Sequence, residues 1–194
     1  AWIAELSSEE IAREWLQQTF STEPEFVEPV LDMMMTSRET AVDYMMPLGL
    51  HHLFAWGHHY GPEPWCDVEG ARIDWMPRYY HKAGKGGIGF DRTAEGSGNV
   101  LQYHEPLTSM YNSLETCPEN LILWFHHVPW THEMSSGRTI WEEICLHYDR
   151  GIKTVRDYQK TWAEMKPYID SERWEAVNSK LAIQESDARW WRDA

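Results

Sequence analysis

The sequence predicts a mostly α-helical domain with long ordered loops and, at its C-terminal end, an antiparallel helical hairpin. Apolar side chains recur every three or four residues towards both ends of the chain, which is the pattern of an amphipathic helix. Residues 47–105 instead hold six of the ten histidines and many of the glycines and prolines without a sustained period, which indicates loops with short helical turns. A length of 194 residues suits a single domain over residues 1–194.

Three helices are predicted before the loop region. The first begins after Ser7, because Ser7-Ser8-Glu9-Glu10 has the form of a capping box in which Glu10 returns the hydrogen bond. Pro47 and Gly49 stop the third. The predicted helices span residues 7–20, residues 24–35 or 29–35, and residues 37–45.

Helical periodicity returns at Pro106 and is predicted to end at Cys117-Pro118. The apolar run over residues 121–125 is either a buried strand or a buried helical turn, and periodicity cannot decide between them.

Two long amphipathic helices close the chain. The first begins at Thr139 and ends before Pro167, and Gly151 either breaks or merely weakens it. The second begins near Asp170-Ser171. A short turn containing proline joins them, and this arrangement predicts the antiparallel hairpin.

Charge and composition exclude several function classes. The chain carries 17 basic and 31 acidic residues, a formal charge of -14, which disfavours binding to nucleic acid. No apolar run approaches the roughly 18 residues of a membrane span. Three cysteines without a CxxC spacing indicate reduced thiols, and with no signal-peptide pattern they favour a cytoplasmic over an extracellular protein. No cofactor is predicted.

Both ends of the chain are apolar, which favours a segment of a larger protein whose other parts cover these side chains. The chain opens on Ala1-Trp2-Ile3 and closes with Trp190-Trp191 before its last three residues, whereas termini are usually polar and frayed. A processed or engineered chain is the alternative explanation.

The densest motif is residues 50–65, where two His-His pairs flank Trp56. A metal site is disfavoured, because adjacent histidines rarely ligate one ion and no HExxH spacing is present. Two interpretations remain: a sugar pocket wall of stacking indole and hydrogen-bonding imidazoles, or a loop whose histidines satisfy buried carbonyls. Residues 123–133 repeat this composition, with Trp124 and Phe125 predicted as core.

Basic side chains concentrate between residues 72 and 92. They either meet an anionic group or neutralise neighbouring carboxylates. The glycine run over residues 84–89 lacks the ending of a phosphate-binding loop. No carboxylate pair stands out as an acid and base, and no catalytic residue is predicted. The basic side chains are Arg72, Arg78, His81, Lys82, Lys85 and Arg92.

Four motifs resemble the C-terminal domain of glycoside hydrolase family 67, the α-glucuronidases of xylan breakdown. The likeness extends over essentially the whole chain, including residues 7–15 and 188–194. The motifs are DYMMPLGLHH (residues 43–52), GHHYGP (57–62), GIGFDRT (87–93) and WFHHVPW (124–130).

This resemblance implies a larger enzyme with an N-terminal α/β domain, a catalytic (β/α)8 barrel and this helical domain. Family members release glucuronic acid, or its 4-O-methyl ether, from xylooligosaccharides with inversion. The catalytic carboxylates lie on the barrel, so this segment alone is expected to be inactive. The resemblance also implies that the domain packs on the barrel, helps to line the pocket and supports a homodimer.

An aromatic side chain of this domain lines the family's pocket near the 4-O-methyl group, and Trp56 is the best match. The predicted substrate-binding residues are therefore Trp56, His58, His59, Tyr60 and Arg92, with a glucuronoxylan-derived oligosaccharide as ligand. The alternatives are a stand-alone carbohydrate-binding module and a metal-binding helical module.

Overall fold

The computed structural model describes residues 5–56 and 60–194. These residues form seven α-helices joined by loops and short 3₁₀ turns, with isolated β-bridges and no β-strand in this part of the chain. The prediction of a mostly α-helical fold is confirmed. The helices are α1 (Ser8–Thr19), α2 (Pro24–Met45), α3 (Pro77–His81), α4 (Leu107–Asn112), α5 (Ile122–Phe125), α6 (Ile140–Glu164) and α7 (Ser171–Asp193).

Capping boxes begin both α1 and α6. The Ser7 hydroxyl accepts the Glu10 N–H at 3.1 Å, and the Glu10 carboxylate accepts the Ser7 N–H at 2.7 Å. Thr139 and Glu142 exchange the same two bonds at the start of α6. Each box pairs N–H groups that the helix itself leaves without partners.

The prediction of two helices between residues 24 and 45 is wrong, because α2 runs through Met35 without a break. No glycine or proline lies between Pro29 and Pro47 to end the helix. The Thr36 and Ser37 hydroxyls bond to carbonyls one turn back, at 2.7 Å each, so these side chains do not disrupt the helix.

The predicted C-terminal hairpin is confirmed as α6 and α7, joined by a turn that includes the 3₁₀ segment Lys166–Tyr168. Gly151 does not break α6. A Cβ at this position would lie 2.8 Å from Tyr44, so its bare backbone allows α2 to cross closely. Trp162 and Trp174 fix the turn, since each indole N–H donates to the other residue's carbonyl, at 3.0 and 2.9 Å.

Two elements refine the predictions for residues 106–125. The helix that begins after Pro106 ends at Asn112 rather than at Cys117, as α4. The apolar run is a helical turn, α5, and not a strand, with Phe125 buried as core.

Two apolar clusters form the core. The first packs the loop region against α5 and the N-terminal half of α6, and the second packs α1 against the far ends of α2, α6 and α7. These three long helices contribute to both clusters, through Tyr44 and Val30 of α2, Ile144 and Tyr158 of α6, and Ala188 and Leu181 of α7.

Across residues 5–56 and 60–194, each helix is too short or too polar to cross a lipid bilayer.

Candidate functional site

Trp56 stands on a hairpin-like loop held by backbone hydrogen bonds. The Ala55 N–H donates to the Gly61 carbonyl at 2.9 Å, and the Glu63 N–H donates to the Leu53 carbonyl at 2.8 Å. The Glu63 carboxylate accepts the Trp56 N–H at 3.0 Å. Glu63 therefore fixes the backbone from which the Trp56 indole projects.

The indole of Trp56 forms part of a cavity of about 360 Å³. Trp75, on a 3₁₀ turn that ends with it, faces Trp56 with ring centroids 6.0 Å apart and planes tilted by 32°. The volume lies in the range of small-molecule sites, roughly 300–1,000 Å³. The cavity is lined by His52, Phe54, Ala55, Trp56, Asp74, Trp75, Pro77 and Tyr80.

Three polar contacts hold the wall that carries Trp75. The His52 imidazole Nε2–H donates to the Trp75 carbonyl at 3.1 Å, and the Tyr80 hydroxyl donates to the Asp74 carbonyl at 2.9 Å. Arg72 binds the Asp74 carboxylate and lies 5.5 Å from the Trp75 ring centroid. These contacts hold the backbone of Asp74 and Trp75, from which the Trp75 ring extends.

The cavity combines two indole faces with the Asp74 carboxylate, whose charge is paired with Arg72. Hydrogen bonds from Arg72 hold the pKa of Asp74 below its ordinary value, so the carboxylate is ionised at neutral pH. Indole faces can stack on the C–H surface of a pyranose, while a carboxylate oxygen can accept its hydroxyl protons. Asp74 is the single carboxylate among the lining residues, so the described cavity offers stacking faces and hydrogen-bond acceptors but no pair of carboxylates.

The predicted site residues do not all converge on this cavity. Trp56 lines it and is 43% exposed. Tyr60 is 80% exposed and is not among the lining residues. His58 and His59 lie outside the described residues. Contact of Trp56, His58, His59 and Tyr60 with a substrate stays a prediction.

Arg92 is buried in the fold, with 6% of its surface exposed. Its guanidinium lies 3.7 Å from the Trp124 ring centroid and 4.5 Å from that of Phe90, and it donates to the Trp124 carbonyl. Burial lowers the pKa of Arg92, and the two aromatic faces stabilise its charge. Arg92 does not line the Trp56 cavity, and direct contact with a substrate stays a prediction.

Sequence reasoning missed Trp75, Tyr80 and the positioning role of His52. His52 belongs to the histidine pair already noted, and Pro77 marks the start of the helix that carries Tyr80. No spacing links these residues to Trp56, because the loop fold brings them together.

Part of the basic stretch neutralises nearby acidic groups. Arg72 pairs with Asp74, and Arg78 pairs with Asp67. His81 is buried, and its Nδ1 accepts the Ala83 N–H at 2.9 Å while Nε2–H donates to the Pro64 carbonyl at 2.7 Å. For these three residues, the contacts favour a structural role over binding of an anion.

In the described part of the chain, no group of three or more His, Cys, Asp or Glu side chains could hold a metal ion. The three thiols are unpaired. Cys66 and Cys117 are buried, and burial raises the pKa of Cys117 to about 11, while Cys145 is exposed.

The described residues form a helical domain with an indole-lined cavity of small-molecule size. All 194 residues match the family described as "Glycosyl hydrolase family 67 C-terminus", and the chain belongs to this family.

Curated relatives match along the whole chain. It is 35% identical over 196 residues to alpha-glucuronidase A of Aspergillus tubingensis and 36% identical over 197 residues to that of Emericella nidulans. A probable alpha-glucuronidase A of Aspergillus niger is 34% identical over 196 residues. In each case the match covers 100% of this chain and 23% of the relative, so the chain spans about a quarter of their length.

Proposed function

We propose that this chain is the C-terminal helical domain of an inverting α-glucuronidase that releases glucuronic acid or 4-O-methylglucuronic acid from xylooligosaccharides. The relatives are named α-glucuronidases, and the family description assigns this segment to the C-terminus. The catalytic carboxylates belong to a (β/α)8 barrel of the same parent chain, and the segment alone is inactive. The domain packs on that barrel and supports a homodimer.

The observation that carries the proposal is the cavity between Trp56 and Trp75. Trp56 is the residue that the family resemblance assigns to the pocket, and its indole is held on a fixed backbone with an accessible face. In the parent, this face contacts the sugar near its 4-O-methyl group. His58, His59 and Tyr60 follow Trp56 in the sequence and are further predicted contacts of the substrate, as is Arg92, which packs on Trp124.

Trp56→Ala in the parent enzyme tests this role. Loss of the apolar contact should lower kcat/KM for aldouronic acids by about 1–2 kcal/mol, roughly 5- to 30-fold. The loss should be larger for 4-O-methylated than for unmethylated substrate, because the methyl group makes the removed contact. Steady-state kinetics on both substrates measure the difference.

The matched control is Trp15→Ala. Trp15 is 47% exposed, close to the 43% of Trp56, but it lies on α1 at a different groove, beside the second apolar cluster. Trp15→Ala should leave kcat/KM unchanged for both substrates, and circular dichroism should show that both variants are folded. Unchanged kinetics for a folded Trp56→Ala would remove Trp56 from the pocket. Release of glucuronic acid by the 194-residue chain alone would contradict the proposal that the catalytic carboxylates belong to the barrel.

The alternative is a stand-alone carbohydrate-binding module, which the same cavity favours. Saturable binding of xylooligosaccharides to the isolated chain, lost in Trp56→Ala and Trp75→Ala, would support this alternative. A metal-binding module would instead require stoichiometric zinc and loss of the fold on chelation.

A further inference from the structure

A second concave surface lies beside the Trp56 cavity. We call it the tryptophan cleft. It consists of adjoining cavities of about 590 and 140 Å³ that share six lining residues. The shared residues are Leu53, Pro64, Trp65, Trp141, Ile144 and Tyr148, and Cys145 lies at the larger cavity.

Two indoles of the cleft are exposed to an extent that the domain's own packing does not explain. Trp65 is 61% and Trp141 is 56% exposed. Trp141 stands on the first turn of α6, where its ring meets Trp130 edge-on at 5.6 Å, and Trp65 meets His81 at 5.0 Å. Large exposed apolar patches mark interaction surfaces, and Trp is enriched at the energetic centres of interfaces.

Charge at the cleft fits a protein partner. Arg192 of the cleft pairs with Asp193 at 2.8 Å and with Asp149 at 3.4 Å, so charged groups accompany the apolar side chains of the cleft. This is the usual anatomy of a protein interface.

The cleft is continuous with the wall that carries Trp56. Leu53 lines the cleft and the next residue, Phe54, lines the Trp56 cavity. The Phe54 ring also contacts Trp191 of the cleft, with centroids 5.6 Å apart. The two cavities are therefore neighbours, joined through the Phe54–Trp191 ring contact.

We propose that the tryptophan cleft is the surface on which the catalytic barrel of the parent chain docks, with Trp65 and Trp141 as the anchoring side chains. The inference rests on the proposed function. The length of chain outside this domain supports the choice of occupant, because the match covers only 23% of the relatives, which leaves a far larger body in the same polypeptide.

Cys145 provides a direct test, because it is an exposed thiol at the cleft. Maleimide labelling at about pH 8, read by peptide mass spectrometry, compares the 194-residue chain with the parent protein. The pH is chosen because burial and Asp149 raise the pKa of this thiol. Cys145 should react in the chain and be protected at least tenfold in the parent. Ser179→Cys, on an exposed position of α7, should react equally in both.

Three results would overturn the proposal. Equal labelling of Cys145 in chain and parent would show that the cleft stays open. Protection that appears only with added xylooligosaccharide would assign the cleft to a sugar. Protection that depends on protein concentration would assign it to a second copy. Labelling of Cys145 does not depend on catalysis. A parent protein that is inactive on aldouronic acids would therefore refute the proposed function, whereas the docking proposal would still be judged by the labelling alone.

Substitution of the anchors completes the experiment. In the parent, Trp65→Ala and Trp141→Ala should each raise the labelling rate of Cys145 at least tenfold. Trp15→Ala, which removes a 47% exposed indole on α1, should not change this rate. Protection that survives loss of both anchors would remove them from the interface.

Discussion

Single residues fix the backbone contacts on which the loops depend, and Gly89 is one example. Its φ is +100°, and a Cβ there would lie 2.1 Å from the His126 carbonyl oxygen. The neighbouring Ile88 exchanges both backbone hydrogen bonds with Val128, at 3.0 and 2.9 Å. The glycine run thus brings two loop segments into direct backbone contact, which explains its composition without a phosphate ligand.

Gly89→Ala should destabilise the domain by more than about 2 kcal/mol, because strained backbone and steric overlap add. Gly137→Ala separates the two effects, since its φ is +78° but no atom lies within 4 Å of the added Cβ. That control should cost only about 1 kcal/mol. Urea denaturation of the isolated chain measures both, and equal losses would refute the steric argument.

At the scale of elements, periodicity and capping residues predicted helix starts better than helix ends. The start at Ser7 is identifiable because a capping box is a local interaction over four residues, whereas the start at Thr139 follows from the apolar periodicity. The division of α2 and the extension of α4 were wrong, because whether a polar side chain breaks a helix depends on where its hydrogen bond goes. In α2 the Thr36 and Ser37 hydroxyls bond along the same helix, and no spacing reveals that.

Thr139→Ala tests the contribution of the capping box of α6. The Thr139 hydroxyl accepts the Glu142 N–H, and its loss leaves a helix-end donor without its partner. The free energy of unfolding should fall by about 1 kcal/mol, whereas Thr139→Ser should retain most of it. Chemical denaturation followed by circular dichroism gives both values. A serine variant as unstable as the alanine variant would point to the methyl group instead of the cap.

At the scale of the whole molecule, an ionic contact joins α2 to α6. The Asp43 carboxylate accepts from Arg150 at 2.6 and 2.7 Å and from His147 at 2.8 Å. Burial raises the pKa of Asp43, but the hydrogen bonds from Arg150 and His147 outweigh it and leave that pKa below its ordinary value. Folding therefore favours the ionised carboxylate.

This contact predicts a pH dependence of stability. A carboxyl pKa lower in the folded state contributes stability that is fully present above the unfolded value, about 3.9, and is lost as pH falls through the folded value. Asp43→Asn should cost about 1–3 kcal/mol at neutral pH. The difference from wild type should shrink below about pH 4. Unfolding curves across this range measure it, and a constant difference would show that charge is not responsible.

The candidate site was only partly predictable from sequence. The cluster of histidine and tryptophan around Trp56 indicated a ligand wall, because those side chains combine stacking with hydrogen bonding. The opposing wall of Trp75 and Tyr80 depends on how residues 63–76 fold back, which carries no periodic signal. Arg92 shows the converse, since a basic residue expected at the ligand is packed between two aromatic rings.

The sharing of α2, α6 and α7 between both apolar clusters has a mechanical consequence. Loosening either end of the domain must detach helices that also close the other end. A partly opened form would lose packing at two places at once and would be rare. The loops that carry Trp56 pack on three helices that unfold together. The distance between the Trp56 and Trp75 rings therefore depends on the stability of the whole domain.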